Sequence, residues 1–289
     1  MPTKHEKEAY RETERTGHEW DGITEFDNPL PKWWLYVFYA TIVFAVVYCV
    51  LYPSIPLIWT HTNGILHYSR RAELAQGDAI AAAQQAPYRD RIAKLSLAEI
   101  RKDPDLLGFA ETGGRAVFNE NCVPCHRAGG AGAKGYPNLA DDDWLWGGTI
   151  DAIAQTITHG IRNADPDSRQ TNMPRFGADG ILKREQIEDV ADYVLSLSGH
   201  QAAPATVARG AKIFADNCVT CHGEKGTGKQ DVGAKNLTDN IWLYGGDRAT
   251  LIETITDARN GSMPAWGQRF DPTTIKMLAL YVYSLGGGK

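Results

Sequence analysis

The chain has 289 residues, enough for two or three small domains. It carries 35 acidic and 30 basic side chains, which give a formal net charge of -5 and a pI near 5.9. A nucleic-acid-binding protein needs a basic surface to contact phosphates, so this balance argues against nucleic acid as a partner. A mildly acidic surface suits a basic protein partner instead.

The first third of the chain contains one long apolar segment. Residues 1–32 are polar and charged, which predicts a short, largely disordered tail. The run from Trp33 to Tyr52 then carries no charge, and about 20 apolar residues in a helix span a bilayer. Aromatic side chains at both ends suit the membrane interfaces. We therefore expect a transmembrane anchor over 33–59, with Cys49 as a small packing residue inside it.

The segment 60–107 is rich in alanine and charged residues and is expected to be a helical linker. The remainder is an internal repeat. Gly114-Arg-Ala-Val-Phe recurs as Gly210-Ala-Lys-Ile-Phe, and Asn-Cys-Val-x-Cys-His follows in both copies. Because there are two copies, we interpret them as a tandem duplication of one small domain, over 108–200 and 205–289, and not as a solenoid.

Each copy has helical periodicity. Apolar residues recur at helical spacing from Ile187 to Leu195 and again from Ile275 to Tyr283. A middle helix is expected to begin at the N-cap Thr149, with Asp247 in the same role in the second copy. No convincing strand alternation is present, so the predicted fold class is all-α. A unit of this size has a thin core, which a large flat apolar cofactor would complete.

Each copy contains a C-x-x-C-H motif, the attachment signature of c-type haem. On one helical turn, the two thiols and the imidazole share a face. The cysteines can form thioethers to the haem vinyl groups while the histidine ligates the iron. The cofactors predicted are therefore two covalently bound haem c groups, at Cys122, Cys125 and His126 and at Cys218, Cys221 and His222.

Two other interpretations of the cysteine pairs are weaker. A four-ligand zinc site would join the two pairs but would make both adjacent histidines redundant. A thioredoxin-like dithiol needs a βαβ setting, and the sequence contains none.

The second axial ligand of each iron is expected from a methionine. Met173 and Met263 each precede a proline at matching places in the two copies, and a thioether opposite histidine raises the reduction potential. His159 could compete as a ligand, but Asp257 occupies its matching position. Met277 has no counterpart in the first copy and is expected to be structural.

The partner of each ligating imidazole is also partly predictable. A metal-bound histidine usually donates its other N–H to a carbonyl or carboxylate. Pro137, just before Asn138-Leu139, is placed like the proline whose carbonyl does this in many cytochromes c. The second copy has Lys235 there, which puts the geometry of that bond in doubt.

With these motifs in hand, the chain resembles the dihaem subunit of cbb3-type cytochrome c oxidases, the CcoP/FixP family. The resemblance covers nearly the whole chain, and its most specific part is the N-terminal sequence Gly17-His-Glu-Trp-Asp-Gly-Ile23, followed by Phe26-Asp-Asn-Pro-Leu-Pro-Lys-Trp-Trp34. It implies two tandem class I cytochrome c domains behind one transmembrane helix. It also implies that Met173 serves the Cys122–His126 haem and Met263 the Cys218–His222 haem.

The resemblance further implies a location and partners. The protein would lie in a bacterial inner membrane, with the tail cytoplasmic and both haem domains periplasmic. The charged residues flanking the anchor are balanced and do not set an orientation. Electrons would pass from a donor cytochrome c, through a monohaem subunit, to a haem–copper subunit that reduces oxygen. This chain would have no catalytic residues and no oxygen-reducing site of its own.

Three alternatives remain at this stage. A freestanding membrane-tethered electron shuttle would lack co-purifying oxidase subunits. A dihaem peroxidase would need an open coordination position on one iron, which carbon monoxide binding to the reduced protein would reveal. A haem-based sensor would need one labile axial ligand.

The paired motifs predict that haem stays on the denatured chain, because thioethers survive unfolding. Intact mass of the denatured protein should exceed the polypeptide mass by two haem groups, and the band should stain for haem on a denaturing gel. A mass without these increments would contradict covalent attachment.

Overall fold

The computed structural model describes residues 15–286 of the chain. The expected disordered tail lies outside these residues up to position 14. The chain divides into two compact units, and the boundary between them falls between Ala83 and Gln84. Within the described part, the structure is mostly helical, as the sequence predicts, and contains one small sheet.

The first unit begins with a β-hairpin where the sequence predicted a disordered tail. Strand β1 (Arg15–Trp20) pairs antiparallel with β2 (Ile23–Phe26). The connection is Asp21-Gly22, and both residues have positive φ, 50° and 83°. Asp-Gly is the preferred sequence of a two-residue type I′ turn, because its twist matches that of the strands. The prediction of disorder is therefore wrong from Arg15 onward.

Helix α1 (Lys32–Leu51) is the apolar segment predicted as an anchor. Among the described residues it is the helix long and apolar enough to cross a membrane, and none of it is buried in protein. It ends at Leu51, because Tyr52 is extended and Pro53 follows, so the helix covers the first part of the expected anchor 33–59. The next helix, α2 (Arg70–Lys94), contains Pro87.

The second unit starts well before the expected domain boundary at 108. It extends from Gln84, and the end of the predicted linker is buried in it at Ile92, Leu97 and Ile100. Short helix α3 (Leu97–Ile100) leads to α4 (Pro104–Asn121), which Asp103 caps by accepting from two backbone N–H groups at 3.1 Å. The linker 60–107 is thus helical in large part, but its second half belongs to the core.

The remaining helices repeat the same order in each copy. In the first copy they are α5 (Val123–His126), α6 (Ile150–His159) and α7 (Arg184–Leu197). In the second they are α8 (Pro204–Asn217), α9 (Val219–His222), α10 (Arg248–Asp257) and α11 (Pro272–Ser284). Thr149 and Asp247 cap α6 and α10 as expected, each accepting from a backbone N–H three residues on.

The two copies do not fold as consecutive cores, because they exchange their last helices. Helix α11 packs against α4 and α6 of the first copy, whereas α7 packs against α8 and α10 of the second. One core accordingly contains Phe118 and Ile153 with Leu278, and the other contains Phe214 and Val190. The boundaries 108–200 and 205–289 therefore describe the sequence repeat and not the packed cores.

The exchange begins at equivalent points in the two copies. The Trp266 N–H donates to the Ile157 carbonyl at 3.1 Å, and the Phe176 N–H donates to the Ile255 carbonyl at 3.1 Å. The helix that follows each of these points, α7 or α11, packs against the other copy. Each core therefore requires segments from both halves of the repeat.

One pair of contacts shows how the sequence favours the exchange. Arg209 on α8 donates two hydrogen bonds to Asp189 on α7, at 2.6 and 2.7 Å. The equivalent contact in the other core joins Gly113 and Met277, where an added Cβ would lie 2.0 Å from the Met277 Cε. Without exchange, Arg209 would face Met277 and Asp189 would face Gly113. The buried carboxylate would then lose its partner, which is a costly arrangement.

This contact predicts the outcome of a double-mutant cycle. Gly113→Arg should destabilise the protein by about 1–3 kcal/mol, because it overfills the space held by Met277. Met277→Asp in the same chain should recover part of the loss, with a coupling of about 0.5–3 kcal/mol, since the pair then reproduces Arg209–Asp189. Denaturant unfolding of the full chain in detergent measures both free energies.

An unexchanged fold gives a different result. Gly113→Arg would then face Asp189 and would not couple to Met277→Asp. Arg209→Gly is the matched control, since it removes the charge pair from the other core and should show no coupling to Met277→Asp in the exchanged fold.

Candidate haem-binding sites

Each C-x-x-C-H motif forms a single helical turn at the end of a longer helix. Cys122 ends α4, and its carbonyl accepts from the His126 N–H at 2.8 Å; Cys218 ends α8 and accepts from the His222 N–H at 2.9 Å. One apolar cavity in the second unit touches all six predicted side chains of the two motifs: Cys122, Cys125, His126, Cys218, Cys221 and His222. Burial raises the pKa of the Cys122 and Cys218 thiols to about 11, so they are neutral before any attachment.

The two histidines are oriented in the same way. The Nδ1 of His126 lies 3.1 Å from the Pro137 carbonyl oxygen, and that of His222 lies 2.9 Å from the Lys235 carbonyl oxygen. Burial lowers the pKa of both imidazoles, which favours the neutral form. Donation from Nδ1 to the carbonyl leaves Nε2 available as a ligand. The backbone bond expected at Pro137 is present, and the replacement by Lys235 does not disturb its equivalent.

The methionines pack against the cores of the opposite motifs from those expected. Met263 packs against the core that contains Cys122, and Met173 packs against the core that contains Cys218. Met173 therefore lies in the core of the second motif, and not in the core of the first motif with which it was expected to pair. The reason is the exchange described above, since each Met-Pro segment directly precedes Phe176 or Trp266, where the chain contacts the other copy.

Hydrogen bonds fix both methionine loops across the repeat. Met263 and Ile161 exchange backbone hydrogen bonds of 2.8 and 2.9 Å, and the Asn163 side chain donates to the Met263 carbonyl at 2.7 Å. The Asn260 side chain accepts from the Met173 N–H at 3.1 Å and donates to its carbonyl at 3.2 Å. Each ligand candidate is thus held by residues of the other copy.

The residues present fit haem well. The cavity combines apolar walls with two oriented imidazoles and two thioethers, and both methionines line it. Trp144 packs against the first core but does not line this cavity. Its indole N–H is buried and has no hydrogen-bond partner within residues 15–286.

The other candidate ligands have structural surroundings. Met277 is buried in the first core beside Gly113, as expected of a packing residue. His159 lies outside the cavity, where its Nδ1 is 3.1 Å from Asp165. His159, Asp165 and Asp167 lie close enough together to hold a cation, but no further feature points to one.

Several cavity residues were missed in the sequence. Trp146 and Tyr244 line the cavity at equivalent positions. The cations Arg162 and Arg259 also line it, and so does the side chain of Lys235, for which only the backbone carbonyl was considered. The recurrence of Trp146-Gly-Gly as Tyr244-Gly-Gly could have identified the aromatic pair. The cations could not have been found in this way, because neither arginine has an arginine at its equivalent position.

The fold and these sites define a membrane-anchored c-type cytochrome with two haem-binding domains. Comparison with known families assigns each part separately. Residues 12–58 match the N-terminal domain of cytochrome oxidase-cbb3, FixP. Residues 112–198 match cytochrome c, and residues 205–282 match the family described as cytochrome C oxidase, cbb3-type, subunit III.

Curated relatives match the chain along its length. It is 53% identical over 290 residues to the cbb3-type cytochrome c oxidase subunit CcoP of Cereibacter sphaeroides, covering all of both chains. It is 56% identical to the CcoP subunit of Azospirillum sp. strain B510, covering 98% of each chain, and 54% identical to the FixP subunit of Azorhizobium caulinodans, covering 95% of this chain and 93% of the relative. The chain therefore belongs to the CcoP/FixP family of cbb3-type cytochrome c oxidase subunits, and its function is electron transfer in that oxidase.

Proposed function

We propose that this subunit receives electrons from a donor cytochrome c and passes them through two covalently bound haem c groups to the monohaem and haem–copper subunits. Haem iron, when bound, supplies reversible one-electron transfer. The observation that carries the proposal is the single cavity touching both C-x-x-C-H turns. Two cofactors attached there would lie side by side in one protein body, which suits transfer between them.

The proposed ligand sets follow the exchanged fold. Cys122 and Cys125 would hold the first haem, with His126 and Met263 as its axial ligands. Cys218 and Cys221 would hold the second, with His222 and Met173. Because a methionine thioether and a histidine would both hold each iron, neither iron would offer a site for oxygen, and the reduction of oxygen would belong to another subunit.

Because each methionine would ligate the haem of the opposite motif, the variants Met263→His and Met173→His should each change the reduction potential of a different haem from the one that the sequence repeat suggests. Imidazole in place of a thioether lowers the reduction potential of the haem it ligates. In a chain that retains only the second haem (Cys122→Ser with Cys125→Ser), Met173→His should lower the potential strongly and Met263→His should leave it nearly unchanged. Optical redox titration, together with the near-infrared thioether-to-iron band, measures this.

The reciprocal background, Cys218→Ser with Cys221→Ser, should reverse the two responses. Met277→Leu is the matched control, because it alters a buried methionine outside the cavity and should shift neither potential. If Met263→His instead changed the haem beside His222, the ligands would follow the sequence repeat and the crossed assignment would be wrong.

The proposed orientation places the N-terminus in the cytoplasm and residues from 60 onward in the periplasm, because c-type haem is attached outside the cytoplasmic membrane in bacteria. Alkaline phosphatase fused after Lys289 should be active in intact cells, whereas the same reporter fused before Met1 should be inactive. The opposite pair of activities would reverse the orientation.

A further inference from the structure

Three cationic side chains line the haem cavity, and they differ in how their charge is balanced. Lys235 Nζ lies 2.9 Å from Asp143 and 2.8 Å from Asp239, and Arg259 pairs with Glu253. Arg162 has no carboxylate within ion-pair distance among residues 15–286. It is the one member of the trio whose charge the described protein leaves uncompensated.

The contacts of Arg162 fix its guanidinium at the cavity wall. Its Nε donates to the Thr171 carbonyl at 3.0 Å, and its Nη1 donates to the Gly261 carbonyl at 2.6 Å. Its Cζ lies 5.9 Å from the centre of the Trp146 ring. A guanidinium has five N–H donors, and Nη2 makes no hydrogen bond within the described residues. Donors therefore remain for a further partner.

This position is costly in two respects. Burial lowers the pKa of Arg162, which reflects the loss of water around its charge. Its backbone is left-handed, with φ +48°, and is held there by a 2.8 Å bond from its N–H to the Arg169 carbonyl. Residues without glycine's freedom rarely adopt this conformation. A half-buried, unpaired cation in a strained position indicates that an anion offsets both costs.

We propose that Arg162 binds a haem propionate, with its free N–H groups donating to the carboxylate. The proposal rests on the haem attachment proposed above. The propionates are the ionised groups at the edge of a haem, and the cavity lining is otherwise largely apolar. A guanidinium suits a carboxylate because its fork of donors matches the two oxygens. Arg162 is thus a positioning residue, which also bridges the two crossing loops through Thr171 and Gly261.

The charge has a consequence for electron transfer. Oxidised haem iron carries one more positive charge than reduced iron, so a nearby cation in a low-dielectric cavity favours the reduced form. Arg162 therefore raises the reduction potential of the haem whose propionate it binds.

The test compares Arg162→Gln with Arg169→Gln in the full-length, haem-loaded protein. Arg169 is the matched control, since its Cζ lies 5.2 Å from the same Trp146 ring and it too has no carboxylate partner in the described chain, but it does not line the cavity. Arg162→Gln should lower the potential of one haem by clearly more than Arg169→Gln does. Infrared difference spectra with isotope-labelled propionates should show shifted carboxylate bands for Arg162→Gln alone.

Arg162→Lys keeps the positive charge but loses the paired N–H donors of the guanidinium. It should leave the potential close to that of the parent protein and still shift the carboxylate bands, and it serves as the test if Arg162→Gln fails to mature. The proposal is overturned if the propionate bands are unchanged in Arg162→Lys. It is also overturned if the reduction potential of Arg162→Gln is no lower than that of Arg169→Gln. Arg162 would then serve only to connect the two loops through its hydrogen bonds. Intact mass of the same samples separates this failure from an absence of haem.

Discussion

The packing of α11 against α4, and of α7 against α8, is the interaction on which the second unit depends. In each of these helix pairs the two backbones approach so closely that glycine is required where the helices cross. A Cβ at Gly114 would lie 2.2 Å from the Met277 carbonyl oxygen, and one at Gly210 would lie 2.1 Å from the Asp189 carbonyl oxygen. The core formed by α7, α8 and α10 is complete by Asp257, whereas the core formed by α4 and α6 also needs α11 from the end of the repeat.

The exchange also explains the arrangement of the cavity. The loops that carry Met173 and Met263 must cross, and the residues that fix their backbones, Asn260, Ile161 and Asn163, come from the opposite copies. The two histidine turns and two methionines therefore surround one cavity in one body. In such an arrangement the relative position of two bound cofactors would be set by the packed core and not by a flexible linker between domains.

The local features of this chain could be predicted from the sequence, and the long-range pairing could not. The helices, their caps at Thr149 and Asp247, the C-x-x-C-H turns and the carbonyl beside His126 follow from patterns within a few residues. The hairpin at Asp21-Gly22 was also predictable from its turn sequence, but the polar character of the segment favoured disorder instead. The exchange was not predictable from periodicity, since α7 and α11 have equivalent apolar faces and either would fit either core. The contrast between Arg209–Asp189 and Gly113–Met277 distinguishes the two pairings, as does the Arg248–Asp192 pair, whose equivalents Ile150 and Leu280 are apolar. These contrasts can be interpreted only when the contacts are known.

Cleavage of the connection between the copies tests the exchanged fold most directly. Residues 199–203 join α7 to α8 and are mostly exposed, so a specific protease site can replace them without touching either core. After cleavage under native conditions, the two fragments should co-elute at the size of the intact protein and separate only in denaturant, because each core contains segments of both. Separation into two independently folded, haem-containing fragments without denaturant would contradict the exchange.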